Sequence, residues 1–230
     1  MVHVERPILA SDAARRFDGY YARPATGAGP GLLIFTEMWG VAPSKTEMAE
    51  DYAKRGWCAL VPNMFWRSDF TGVVPFDQAD NAWQRLKAFD WERAVDDART
   101  AASWLRASPH CTGKIAAIGF CMGGRGAFLA ATRAGIDAAV SLYALGIAKH
   151  LDEVRSTRTP IQLHYGLDDE HIPKSEMDAV AEAARQNPNV EVHFYPGAGH
   201  GFFTKGRPAY NPQAVAEATK HIERLLTRLT

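Results

Sequence analysis

Cysteine is scarce in this chain. There are three in 230 residues, Cys58, Cys111 and Cys121, and an odd, sparse count argues against a disulfide framework. An excess of charge of either sign is missing too: 26 Lys+Arg stand against 26 Asp+Glu, a formal net charge of zero. That balance removes the electrostatic case for nucleic acid or an anionic membrane surface as a partner. No stretch reaches 18 apolar residues, so no transmembrane helix is expected. The opening Met-Val-His-Val-Glu-Arg-Pro has neither the cationic nor the apolar region of a secretory leader. Repeats, low-complexity tracts and long linkers are absent as well, and the expectation is one domain over residues 1–230. What remains is ordinary globular composition, 47% apolar and 23% charged, enough to bury a sizeable core. It points to a cytoplasmic protein, monomeric or a weak homodimer, that handles a small molecule.

Strand-like and helix-like runs alternate along the chain. Residues 17–22, 32–35, 57–61, 114–120, 137–143, 161–165 and 190–195 read as strands, most of them short and wholly apolar, as strands buried on both faces are. Residues 44–55, 122–133 and 173–186 read as helices. Ala94, Val95, Ala98, Ala101, Ala102 and Leu105 extend from Trp91 at spacings of three and four, one stripe of a long helix with Asp90 as its N-cap. Asn211 and Pro212 start a last helix with Val215, Ile222 and Leu225 on one face. Residues 63–78 look irregular. Alternation of this kind with short loops means an α/β fold: a mostly parallel central sheet with helices on both faces.

The most informative stretch is Gly119-Phe120-Cys121-Met122-Gly123-Gly124, an apolar strand running through Gly-x-Cys-x-Gly into a helix. A short glycine pattern alone fits a buried structural cysteine equally well. In a strand-turn-helix context it is a nucleophile turn, which holds the thiol over the helix's N-terminal amides, where negative charge is favoured. His200 lies in the glycine-rich run Gly197-Ala-Gly199-His200-Gly201 after one strand, and Asp168, Asp169 and Glu170 follow another. Cys121, Asp169 and His200 therefore follow the nucleophile–acid–histidine order of the α/β-hydrolase fold. In that fold the backbone amides of Met38 and Met122 form the oxyanion hole. His164, inside a strand, reads as a core residue, and Cys58 as an inert small hydrophobe. No His pair has metal-ligand spacing and no phosphate-cradling motif follows the first strand, so neither metal nor cofactor is expected.

Glu37, beside the expected oxyanion hole, is odd on electrostatic grounds, since a carboxylate there repels the charge that the hole stabilises. Glu37-x-x-Gly40, Gly119-x-Cys121-x-Gly-Gly124, Gly166-x-x-Asp169-x-x-Ile172-Pro173, Gly199-His200 and the run Lys87-Ala88-Phe89-Asp90 together make the chain resemble the dienelactone hydrolase (carboxymethylenebutenolidase) family from Leu32 onward. The resemblance implies a cysteine hydrolase of enol lactones or activated esters, in which Glu37 is a switchable base toward the Cys121 thiol, and its register selects Asp169 over Asp168. It also implies two arginines that hold a substrate carboxylate, and here the chain departs: the matching positions are Ala79 and Thr204, with Lys205 beside the latter, and the family's nearby tyrosine is Trp83. Arg67, Arg85 and Arg125 are further candidates to hold a carboxylate, with a surface arginine the favoured reading of each. Trp39, Trp66, Trp83, Phe202 and Phe203 suggest an aromatic pocket for a neutral lactone or ester. A lyase or a non-catalytic ligand-binding relative on the same fold is the alternative.

Overall fold

The computed structural model describes all residues, 1–230. They group into two compact units, Met1–Ala116 and Ala117–Thr230.

In the first unit, strands β1 (Val2–Glu5) and β2 (Ile8–Ser11) both pair antiparallel with β3 (Arg16–Pro24). Strand β4 (Gly29–Phe35) is buried along its whole length. Helix α1 (Pro43–Lys54) opens on its proline, which needs no amide there, and leads to β5 (Cys58–Pro62). Strand β5 pairs parallel with β4, Leu32 opposite Ala59, and antiparallel with β3, Tyr21 opposite Leu60. Cys58 is fully buried in β5 and its thiol donates to the His110 carbonyl at 2.9 Å. Helix α2 (Ala79–Lys87) follows the irregular stretch and α3 (Trp91–Ala107) follows it, with the Asp90 side chain accepting from the amides of Glu92 and Arg93. Strand β6 (Cys111–Phe120) begins in this unit and ends in the next.

The second unit continues with α4 (Met122–Arg133), β7 (Ala138–Leu142), α5 (Leu151–Ser156), β8 (Ile161–Gly166), α6 (Lys174–Ala184), β9 (Val190–Tyr195) and α7 (Pro212–Leu226). Strands β7, β8 and β9 run parallel, Val140 opposite Gln162 and Leu163 opposite Val192. Each pair is joined by a helical crossover, which a parallel connection requires. His164 has no exposed surface, as expected of a core residue. The face that α7 buries is Ala214, Ala218, Ile222 and Leu225, so Val215 lies beside the expected stripe rather than on it. The buried carboxyl ends of β6, β8 and β9 lead into the turns that carry the candidate site.

Candidate active site

Strand β6 ends at Phe120 and helix α4 begins at Met122, which leaves Cys121 as the single residue in which the chain reverses. It does so at φ 57° and ψ −120°. That region costs a residue with a Cβ about 1–3 kcal/mol, so its surroundings must impose it. They do so at two points: the Cys121 amide donates to the Leu142 carbonyl at 3.0 Å, and its own carbonyl accepts from Gly124 at 3.0 Å. A side chain at 119 would place its Cβ 1.8 Å from the Gly123 carbonyl oxygen, which is the steric reason for glycine there. The Met122 amide, in the first turn of α4, has no acceptor within the helix.

Gly166 closes β8 with its Cα against the Ala198 carbonyl, and a Cβ would lie 2.2 Å from that oxygen. This contact ties the acid loop to the histidine loop. Asp169 Oδ1 accepts from the His171 amide at 2.8 Å, and Oδ2 bonds His200 Nδ1 at 2.8 Å. Both carboxylate oxygens are thus occupied, and the side chain has no exposed surface. The Cys121 thiol lies close enough to His200 to raise its pKa. Burial works against charge on the imidazole, but the hydrogen bonds and negative charge of Asp169 and Cys121 outweigh it and push its pKa up to about 9. The structure therefore brings Asp169 and His200 into hydrogen-bond contact, with the Cys121 thiol near enough to act on the imidazole and an imidazolium favoured at neutral pH.

Tyr143, at the end of β7, carries no sequence signal of a role. It is fully buried at φ 40°, its ring lies edge-on to His200 at 5.1 Å, and its hydroxyl bonds the Thr204 hydroxyl at 3.1 Å. His171, exposed on the acid loop, meets the His200 ring edge-on at 4.8 Å. Phe202 is not a pocket residue: it has no exposed surface and packs on Tyr143 and Tyr195. Its loop buries it because a chain that turns back after His200 must cover the strand ends. Lys205 stands exposed on the same loop.

In the first unit, Glu37 follows β4 and is 4% exposed, with Oε2 3.2 Å from Nζ of Lys45, itself 1% exposed. Lys45 lies four residues before Ala49 on the buried face of α1, a charged residue on an apolar stripe, and that position was the available sequence signal. Trp39 is buried edge-on to Phe76 at 4.8 Å, while Trp83 on α2 is 37% exposed. Trp66 is buried against Phe17 and donates to Asp97 at 3.0 Å. Arg85 is not a surface arginine. Only 8% exposed, it donates to the carbonyls of Met38, Phe70 and Gly72. Arg67 pairs with Asp97, and in the second unit Arg125 bonds His150. No three His, Cys, Asp or Glu side chains converge to hold a metal ion.

Stability should follow two histidine environments in opposite directions. His200 is raised above its unfolded value near 6.5, so its contribution, on the order of 3 kcal/mol, is present below about pH 6.5 and disappears as pH rises through about 9. His164 and His193 are lowered, chiefly by burial, with His193 and His221 acting on His164 and His221 on His193, where its ring stacks at 3.9 Å. Their contribution is present above about pH 6.5 and fades below it. Urea midpoints measured across pH should therefore peak between these limits, and the alkaline decline should vanish in His200→Ala.

Residues 17–229 match the model of the dienelactone hydrolase family. A carboxymethylenebutenolidase of Pseudomonas sp. strain P51 is 30% identical over 220 residues, 93% of this chain and 91% of that one. Its counterpart in Pseudomonas putida is 31% identical over 207 residues, 89% of this chain and 88% of that one. Among solved structures, a dienelactone hydrolase-like promiscuous phosphotriesterase from metagenomic libraries superposes with a TM-score of 0.83 at 24% identity, covering 99% of this chain and 98% of that one. A dienelactone hydrolase from Anabaena variabilis gives 0.72 at 16%, covering 99% and 98%. The fold is that of the α/β-hydrolases, a mostly parallel sheet with helices on both sides, as the alternation of elements predicts.

Proposed function

The chain belongs to the dienelactone hydrolase family and is an enol-lactone or ester hydrolase, and from that premise we propose that Cys121 is its nucleophile and that the reaction passes through a thioester. The observation that supports this most is the Asp169–His200 hydrogen bond, with the Cys121 thiol close by and the His200 pKa pushed up to about 9 by both. A group protonated at rest is suited to hold a thiolate as an ion pair.

In this reading the Cys121 sulfur attacks the acyl carbon. The carbonyl electron pair moves to oxygen, and the oxyanion is met by the Met122 amide at the positive end of α4. The family resemblance adds the Met38 amide as second donor and Glu37 as the base that favours the thiolate. Collapse breaks the acyl C–O bond and the leaving oxygen takes the proton of His200. For a lactone, that oxygen stays on the acyl chain. Water then gives a proton to His200 and its oxygen to the acyl carbon, releasing the carboxylate and the thiol.

A thiolate is a better leaving group than an ordinary alkoxide, so the first tetrahedral intermediate returns to substrate unless the departing oxygen is an enol or phenol. Enol lactones and aryl esters therefore suit this site better than alkyl esters or amides. A neutral substrate fits the side chains best. Thr204, at one family arginine position, spends its hydroxyl on Tyr143, Ala79 stands at the other, and Arg67 and Arg125 have partners of their own.

Initial rates on dienelactone, an uncharged enol lactone, and p-nitrophenyl acetate and butyrate test the proposal. Wild type should favour the uncharged lactone, and Cys121→Ala should lose about 10⁴-fold or more on every substrate. Intact-mass measurement should find one acyl group on Cys121. A variant that keeps its rate while His200→Ala loses it would favour a lyase on the same fold. Binding without turnover in the wild type would favour a ligand-binding relative.

A further inference from the structure

The first unit holds a cavity of about 750 Å³ that none of the triad residues lines. Phe65, Phe70 and Phe89 contribute to its walls, and so does Arg85. Its volume is in the range of small-ligand sites.

The charge within it is uneven in a telling way. Asp97 is held by the Trp66 indole and by Arg67, Asp90 caps α3 and pairs with Arg93, and Asp69 pairs with Arg15. Each lining carboxylate already has a partner. Arg85 has none of that kind. Its guanidinium lies 3.8 Å over the Phe65 ring, three of its five N–H groups go to backbone carbonyls, and its buried Nε–H has no acceptor. Burial alone pulls its pKa down to about 10. A guanidinium buried without a counter-charge and with one donor unmet is a costly arrangement, and a carboxylate placed beside it relieves both costs at once.

We propose that this cavity is a second binding site, separate from Cys121, for a small aromatic or conjugated monocarboxylate, with the carboxylate on Arg85 and the planar body among Phe65, Phe70 and Phe89. The aromatic walls select a flat apolar body, because rings stack or meet edge-on with other π-systems. The single unpaired cation selects one negative charge. A neutral amide of the same shape keeps the packing and loses the charge pairing.

The test is calorimetric titration of Cys121→Ala with trans-cinnamate and with cinnamamide, its neutral isostere. Saturable one-to-one binding is expected, with the acid tighter than the amide by about tenfold, near 1.4 kcal/mol. Arg85→Met should abolish that preference. Ala88→Trp, which fills the cavity from the exposed end of α2 and leaves Arg85 in place, should abolish binding of both compounds while circular dichroism shows an intact fold. In the wild type, cinnamate should leave KM for p-nitrophenyl acetate unchanged. Absence of saturation, equal affinity for acid and amide, retained binding in folded Ala88→Trp, or a competitive rise in KM would each overturn the proposal. The titrations do not depend on turnover, so they stand whether or not the thioester mechanism does.

Discussion

Replacing Asp169 by asparagine is expected to lower kcat/KM about 10³- to 10⁴-fold while leaving the fold intact. Asparagine has the same shape and its oxygen can still accept from the His171 amide, as Oδ1 does now. The other atom is the one that matters. Oδ2 accepts from Nδ1 of His200, and an amide nitrogen there would donate instead, forcing the imidazole into the opposite tautomer with its proton on the side of Cys121. The Asp169 hydrogen bond is also the largest of the influences that raise the His200 pKa to about 9, so that value should fall in the variant. The pH–rate profile separates the two effects. The basic limb should move toward neutral pH, and the plateau should stay depressed even where His200 is in its preferred state. A loss smaller than about tenfold would remove Asp169 from the mechanism.

The second large effect is on stability. Lys45→Met should cost about 3–5 kcal/mol, because it removes the cation 3.2 Å from the Glu37 carboxylate, which is only 4% exposed. Methionine fills much of the space that the lysine stem occupied, so the cost is mainly that of the lost ion pair rather than of a void. The double variant Lys45→Met, Glu37→Gln should recover more than half of the loss. Urea midpoints at constant m-value give both numbers. A single-variant cost below about 1 kcal/mol, or no recovery in the double variant, would mean that the two groups are not energetically coupled.

Much of the second unit was legible in the sequence because its signals are local. Residues 122–133 and 190–195 are helix and strand at the expected bounds, since glycines at one border and a Tyr-Pro step at the other leave the apolar run no choice of length. The Cys121 turn is legible for the same reason at Gly119, whose missing side chain answers a clash with the Gly123 carbonyl four residues on. Elsewhere the decisive contacts are remote in sequence. Strands β1 and β2 are largely exposed; Val2-His3-Val4-Glu5 alternates over only four residues and β2 does not alternate at all. Helix α2 buries only Ala82 and Arg85, so its seat is a guanidinium on backbone carbonyls; Ala79, Ala82, Trp83 and Leu86 recur at helical spacing, but the partners of Arg85 are remote in sequence. Lys45 and Tyr143 gain their meaning from partners that spacing does not reveal, and Phe202 looked like a pocket wall because burial in a loop cannot be read from composition.

The elevated pKa of His200 also bears on the natural history of the site. Cys121 and serine differ by one atom, and the backbone at φ 57° would hold either, so the exchange is sterically open. It is closed chemically. A hydroxyl nucleophile must surrender its proton to a neutral imidazole, whereas the raised pKa of His200 favours the imidazolium, which suits the proposed thiol mechanism instead. Loss of the sulfur would lower that pKa, but the Asp169 bond would persist. A lineage crossing from sulfur to oxygen chemistry on this scaffold would thus have to retune the Asp169–His200 pair as well as change the nucleophile, a fitness valley at least two substitutions wide.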